Sequence, residues 1–127
     1  MRHPVSSYYF SNRENFGADL LALNIQRGRD HGLPGYNAYR KACGLRQLTN
    51  WRQRPTEVSK EYWKKLKEVY NTVDDIDIYV GGVGETSVKG GVVGPTFACL
   101  ISDQVSKVFD LQCGAMQTIL LPVCYVK

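Results

Sequence analysis

Leu20, Leu23, Asn24 and Arg27 fall at i, i+3, i+4 and i+7, the spacing that gathers side chains on one face of an α-helix. A carboxamide and a guanidinium therefore interrupt an apolar stripe. Buried polar groups cost free energy unless they find partners, so this face is expected to meet something apolar in its middle and polar at one edge. The surrounding run DLLALNIQRGRDHG carries the signals of a whole helix. Asp19 suits its N-terminal turn, and Gly28 or Gly32 suits its stop.

The helical signals continue along the chain. Pro34 and Gly35 mark a turn, after which Tyr36 to Ala42 is expected to be a short helix closed by Gly44. Leu45 to Pro55 is a polar, Arg-rich loop. Ser59 or Thr56 is suited to cap a helix in which Tyr62, Trp63, Leu66, Val69 and Tyr70 recur at helical spacing, with Glu61–Lys65 and Lys64–Glu68 on the solvated side. Asp74 to Val80, DDIDIYV, alternates polar and apolar residues, and periodicity alone reads it as a strand. Six glycines between Gly81 and Gly94 read as turns. A helix then starts at Gly94-Pro95 with an apolar stripe of Phe97, Leu100, Ile101, Val105 and Val108.

Composition narrows the function classes. At 127 residues, 43% hydrophobic and 22% charged, the chain lies in the globular range, about one domain in size. Residues 1 to 60 carry ten Lys/Arg against four Asp/Glu, and the remainder six against eight, so the first half favours an anionic partner. Phosphate backbones and carboxylate-bearing cofactors both fit that description. The Arg-rich loop around Trp51 could stack on nucleic acid, but no recognised nucleic-acid motif accompanies it, and no such partner is expected. The glycines of GGVGE match neither the dinucleotide nor the phosphate-loop pattern. No apolar run has transmembrane length: the longest, Ile119 to Val126, is broken by Pro122, so no membrane partner is expected.

Cys43, Cys99, Cys113 and Cys124 form no CxxC pair and have no histidine nearby, which argues against zinc and for a disulfide in an oxidising compartment. The first sixteen residues lack the apolar core of a signal peptide, so an exported protein would have its true start elsewhere.

The run LNIQRGRDHGLPGYNAYRKACGL at 23–45 resembles the animal haem peroxidases, the family of myeloperoxidase, peroxidasin and the insect peroxinectins. VYNTVDDIDIYVGGVGE at 69–85 and VGPTFACLISDQ at 93–104 follow in register. The resemblance covers most of residues 17–107 and divides the chain into an irregular lead-in at 1–16, a partial peroxidase domain at 17–107 and a divergent tail at 108–127. It implies a mainly α fold, the C-terminal helices of the catalytic domain, and a helical rather than stranded Asp74 to Val80.

What the resemblance implies for chemistry is specific. Asn24 matches the asparagine that hydrogen-bonds the proximal histidine, Arg27 an arginine against a haem propionate, and Leu20 and Leu23 pocket-lining positions. A porphyrin with its propionates also has the apolar middle and polar edge that this helix face calls for. An acceptor on the far nitrogen of an iron-ligating imidazole fixes its orientation and raises its electron donation. Cys43 and Cys99 match two family cysteines that pair, closing a loop that contributes on the order of 4 kcal/mol in the chain-entropy model.

The implied partners are haem, hydrogen peroxide and a reducing substrate, in a secreted parent protein. The family's distal histidine and arginine, proximal histidine, haem-esterifying carboxylates and calcium loop have no counterparts in this chain, so no catalytic or metal-ligating residue is assigned and the chain alone is expected to be inactive. His31 belongs to the RDHG turn and is read as a turn histidine. Without the resemblance, Asn24 reads as an interior amide satisfied by backbone, and Arg27, Arg29 and Asp30 as a surface ion-pair cluster. The alternative function is a noncatalytic interaction or regulatory product that keeps the peroxidase C-terminal helices.

Overall fold

Each helix begins and ends where a particular side chain supplies what the backbone lacks. A computed structural model describes residues 19–117, with side chains through Phe109. The lead-in at 1–16, the side chains of Cys113 and Cys124, and the tail beyond residue 117 lie outside the described residues. Five α-helices are described: α1 (Leu20–Asp30), α2 (Tyr36–Ala42), α3 (Lys60–Val69), α4 (Ile78–Val83) and α5 (Pro95–Gln117), with a 3-10 turn at Val73–Asp75 between α3 and α4.

Helix α1 starts where the Asp19 carboxylate accepts from the amides of Leu21 and Ala22, two of the donors that a helix N-terminus leaves unpaired. It stops at Gly32, whose φ of 63° permits the reversal in which Gly32 N donates to Arg29 O and Leu33 N to Gly28 O. The same pair of bonds closes α2 at Gly44, from Gly44 N to Lys41 O and from Leu45 N to Arg40 O. Of the two candidate caps for α3, Ser59 is the one used, accepting from Tyr62 N at 3.2 Å.

The alternation of Asp74 to Val80 does not make a strand. Thr72 and Asp75 form a reciprocal cap, with Thr72 N and Oγ1 both donating to Asp75 Oδ2, and the 3-10 turn and α4 follow. The period-2 pattern arises because Ile76 is an inward plug between two short helical pieces, fully buried while Asp74 and Asp75 face solvent. No strand is formed among the described residues; the sole β-type pairing is an isolated bridge between Val58 and Glu85. The mainly α expectation therefore holds.

The expectation that Gly81 to Gly94 are all turns needs correction. Gly81 and Gly82 lie inside α4 and are buried, because side chains press on them: a Cβ at Gly81 would sit 2.3 Å from Tyr36 Cγ, and one at Gly82 2.5 Å from Phe97 Cζ. These glycines let two rings reach the backbone of α4. Only the segment after Gly84 turns.

The core is Tyr36, Leu48, Val58, Trp63, Leu66, Val73 and Ile76. Trp51 packs on Trp63 with ring centroids 5.0 Å apart, and its indole N–H donates to Asn71 O, so the aromatic of the Arg-rich loop belongs to the core's edge. Arg54 from the same loop is bonded to the carbonyls of Pro55 and Val58. Val69, assigned to the apolar face of α3, is 76% exposed: it is the last residue of the helix and lies past the core. The stripe on α5 also diverges from expectation. Phe97 and Leu100 are half-buried, but Ile101, Val105 and Val108 are exposed.

Candidate functional site

A cleft of about 720 Å³ opens between α1, the start of α4 and the first turns of α5. Its apolar walls include Ile25, Leu33, Phe97, Leu100 and Ile101, and Asn24 and Arg27 stand on its α1 side. No residue of α1 is buried, so this helix is held to the body by something other than a packed core face.

The holding contact is an ion pair. Arg29 Nε donates to Asp77 Oδ1 at 3.0 Å and Nη2 to Oδ2 at 2.8 Å, a two-pronged fit of guanidinium to carboxylate. Tyr70 Oη donates to Asp77 Oδ2 at 2.7 Å. The Arg29 hydrogen bond holds the Asp77 carboxyl below the usual carboxylate range, while desolvation and then the bond to Asp77 push the Tyr70 phenol up to about 12. The same pairing raises the Arg29 guanidinium above its ordinary value. Asp77 also starts α4, so α1 is tied to the N-terminus of a helix that carries the packed glycines.

Beneath the cleft lies a buried polar hub centred on Glu85, whose side chain is wholly buried. Its Oε1 accepts from Tyr36 Oη at 2.6 Å and Thr96 Oγ1 at 2.6 Å, and its Oε2 accepts from Thr96 N at 2.9 Å. Arg40 Nη1 stands 3.4 Å from Oε1 and 3.7 Å from Glu57 Oε2. Burial and then the bond to Glu85 push the Tyr36 phenol above its ordinary value. The carboxylate sits at the N-terminus of α5, where the exposed amides and helix dipole favour a negative charge. Cys43 and Cys99 are joined in a disulfide with Cα atoms 6.0 Å apart, which ties the end of α2 to α5 beside this hub.

The residues singled out by sequence divide into two groups. Asn24 and Arg27 both line the cleft; Asn24 is half-buried, Arg27 exposed, and neither side chain has a hydrogen bond or ion pair among the described residues. Leu20 and Leu23 are on α1 but do not line the cleft; Leu20 is half-buried and Leu23 is 40% exposed. The surface cluster of Arg27, Arg29 and Asp30 does not form, because Arg29 goes to Asp77 and Asp30 accepts from Gln26. His31 ends α1 with Nδ1 2.8 Å from Arg27 O, a turn histidine that also reaches the cleft. Among the described residues no group of His, Cys, Asp and Glu side chains could hold a metal ion, and no helix is long and apolar enough to cross a membrane.

Sequence reasoning missed Asp77 and Glu85. Asp77 lies 48 positions from Arg29 and Glu85 lies 49 from Tyr36, distances over which periodicity carries no information. The one local hint for Glu85 is a lone carboxylate after a glycine run. Gln104, a polar interruption in the α5 stripe, also lines the cleft.

The family model for the animal haem peroxidase domain matches residues 1–110. That range takes in residues 1–16 and ends inside 108–127. Peroxidasin of Drosophila melanogaster is 44% identical over 102 residues, covering 80% of this chain and 7% of that protein. Chorion peroxidase of the same species is 48% identical over 103 residues, 81% of this chain and 12% of that protein. Among solved structures, peroxidase A from Dictyostelium discoideum superposes with a TM-score of 0.67 at 39% identity, covering 80% of this chain and 19% of that one. The chain thus spans a small fraction of the length of these relatives. With the family model matching most of its length and a shared helical arrangement at that identity, the chain belongs to the animal haem peroxidase family and carries part of that family's fold.

Proposed function

We propose that this chain is a C-terminal part of the catalytic domain of a secreted haem peroxidase, which uses hydrogen peroxide to oxidise a reducing substrate, and that it supplies part of the proximal haem wall. One observation carries the reading: Asn24 and Arg27 stand together at a largely apolar cleft with both polar groups unpartnered among the described residues. The neighbouring Arg29 and Arg40 are instead committed to carboxylates. An apolar surface with one amide and one free guanidinium at its edge fits a planar macrocycle bearing carboxylate arms.

Haem, when bound, supplies the redox chemistry of peroxide. The Asn24 carbonyl oxygen would accept the far N–H of an imidazole contributed by another segment of the domain, fixing that ring's orientation and keeping its proton in place. Arg27 would donate to a propionate, neutralising it at the rim, and Ile25 and Leu33 would offer apolar cover, whereas Leu20 and Leu23 lie on α1 outside the cleft. His3 and His31 are the chain's two histidines. His31 is engaged with the Arg27 carbonyl, so neither an iron ligand nor a distal base is assigned here, and the chain alone turns over no peroxide in this reading.

A second reading, a noncatalytic product that pairs with another chain, is favoured by one observation. Ile101, Val105, Val108 and Phe109 along α5 are 46–61% exposed. Titrating haem into the purified chain separates the two. A Soret shift with peroxide-dependent oxidation of a phenol would mark an active enzyme and contradict the inactive-fragment reading. A shift that Asn24→Ala and Arg27→Ala weaken, without turnover, supports the proximal wall. No spectral change leaves the pairing reading.

A further inference from the structure

The loop between α4 and α5 presents its tip to solvent as a turn closed by one bond, from Gly91 N to Val88 O at 2.9 Å. Thr86 to Val92 are all exposed, with Val92 at 93%. The ends of the loop are pinned: Thr86 N donates to Glu57 O at 2.6 Å and Val88 N to Val93 O at 2.9 Å. At its tip stand Lys89, Gly90 with φ 78°, and Gly91. Lys89 has no ion pair among the described residues.

Lysine and arginine peptide bonds elsewhere in the described residues are protected. Those of Arg27, Arg29, Arg40, Lys41, Lys107 and the α3 lysines lie in helices. In the loops, the Arg46 carbonyl accepts from Arg40 Nε, the amide after Arg52 donates to Asn50 O, and Arg54 precedes a proline. Neither the Lys89 carbonyl nor the Gly90 amide makes a hydrogen bond among the described residues. Exposed loop tips with small residues are the preferred sites of nicking, because an endoprotease must draw the bond out into an extended strand.

We propose that the Lys89–Gly90 bond is a processing site for a lysine-directed serine endoprotease, and that cutting it yields a two-chain form held together by the Cys43–Cys99 disulfide. Water adds across the bond, leaving a carboxylate on Lys89 and an ammonium on Gly90, and no redox partner is needed. The cut falls between the two cysteines, so both products stay linked. The Glu85 bonds to Thr96 N and Oγ1 lie on the far side of the loop's pins and keep the start of α5 seated. Phe97, Leu100, Ile101 and Gln104, the α5 wall of the cleft, are then held to the other chain by the disulfide, the Glu85 bonds, the Val88–Val93 pin and the Phe97 ring against Gly82. The inference stands independently of the haem reading.

The test is limited trypsin digestion of the folded chain, followed by intact mass with and without reduction. Cuts in residues 1–18 trim the chain outside the disulfide loop and are scored separately. The expected first cut within residues 19–109 is after Lys89. It adds the mass of one water to the unreduced protein and separates two chains only on reduction, and Lys89→Gln abolishes it. A first cut after Arg46, Arg52 or any helical lysine, or chains that part without reduction, overturns the proposal. So does an unreduced Lys89→Gln protein cleaved as fast as the parent sequence.

Discussion

The hub around Glu85 and the face of α1 each carry an arginine beside other polar side chains and end in opposite states. At the hub, an arginine, a tyrosine, a threonine and a carboxylate from α2, the α4–α5 connection and α5 satisfy one another in full burial. On α1 an asparagine and an arginine sit in an apolar stripe with nothing among the described residues to receive them, on a helix with no buried residue. A chain that pays for burying four polar groups correctly in one place is not careless about polar placement elsewhere. The difference teaches that the Glu85 bonds are met within this segment, with Glu57 Oε2 beside Arg40 the buried oxygen left without a hydrogen bond among the described residues, whereas both polar groups of the α1 face lack a partner among them.

The comparison breaks most severely at the hub. Glu85→Ala would leave the Tyr36 hydroxyl, Arg40 and the Thr96 groups buried without their shared acceptor, and removing one partner of such a pair costs about 3–5 kcal/mol. Urea unfolding should show that loss as a lowered midpoint; an unchanged midpoint would mean that the hub is not what joins α5 to α2. Gly81→Ala drives a methyl group into the Tyr36 ring on which the hub rests, an overpacking cost of about 1–3 kcal/mol in the same assay. Asn24→Ala and Arg27→Ala should change the unfolding free energy by no more than about 0.5 kcal/mol, the range for surface substitutions without partners. A larger loss from either would show that these two groups have partners within the chain after all.

Titration sharpens the comparison from the α1 side. The folded Asp77 carboxyl is held below its unfolded value, so its contribution is present above that value and is lost as pH falls through the depressed one, on the acid side of about pH 4. The Tyr70 phenol is raised from 10.0 to about 12, so its contribution is complete below 10 and disappears as pH climbs toward 12. The protection of α1 amides, taken relative to the intrinsic exchange rate at each pH, should therefore fall at both extremes. Asp77→Asn should remove the acid limb, and an α1 whose protection ignores both pH and this variant would show that the Arg29 fork does not hold it.

Much of this was legible because the relevant physics is local. Asp19, Gly32, Gly44, Ser59 and Pro95 act on the turn in which they sit, and each marks a helix end. The short helical pieces around Ile76 defeated periodicity, since a single inward residue between two caps mimics alternation over seven residues. Gly81 and Gly82 look like turn residues until the Tyr36 and Phe97 rings are placed against them, and those rings come from other helices. The site was half legible. Asn24 and Arg27 announce themselves as polar residues in an apolar stripe, but Asp77 and Glu85 acquire their roles only when segments nearly fifty residues apart meet.

The role proposed for Asn24 is to accept a hydrogen bond from the imidazole that ligates the haem iron in a complete domain. Resonance Raman of the iron–imidazole stretch in the full-length parent, compared with its Asn24→Leu variant, tests this directly. A lower stretching frequency is expected in the variant, because the imidazole loses the acceptor that raises its electron donation. An unchanged frequency in a folded, haem-loaded variant would contradict it.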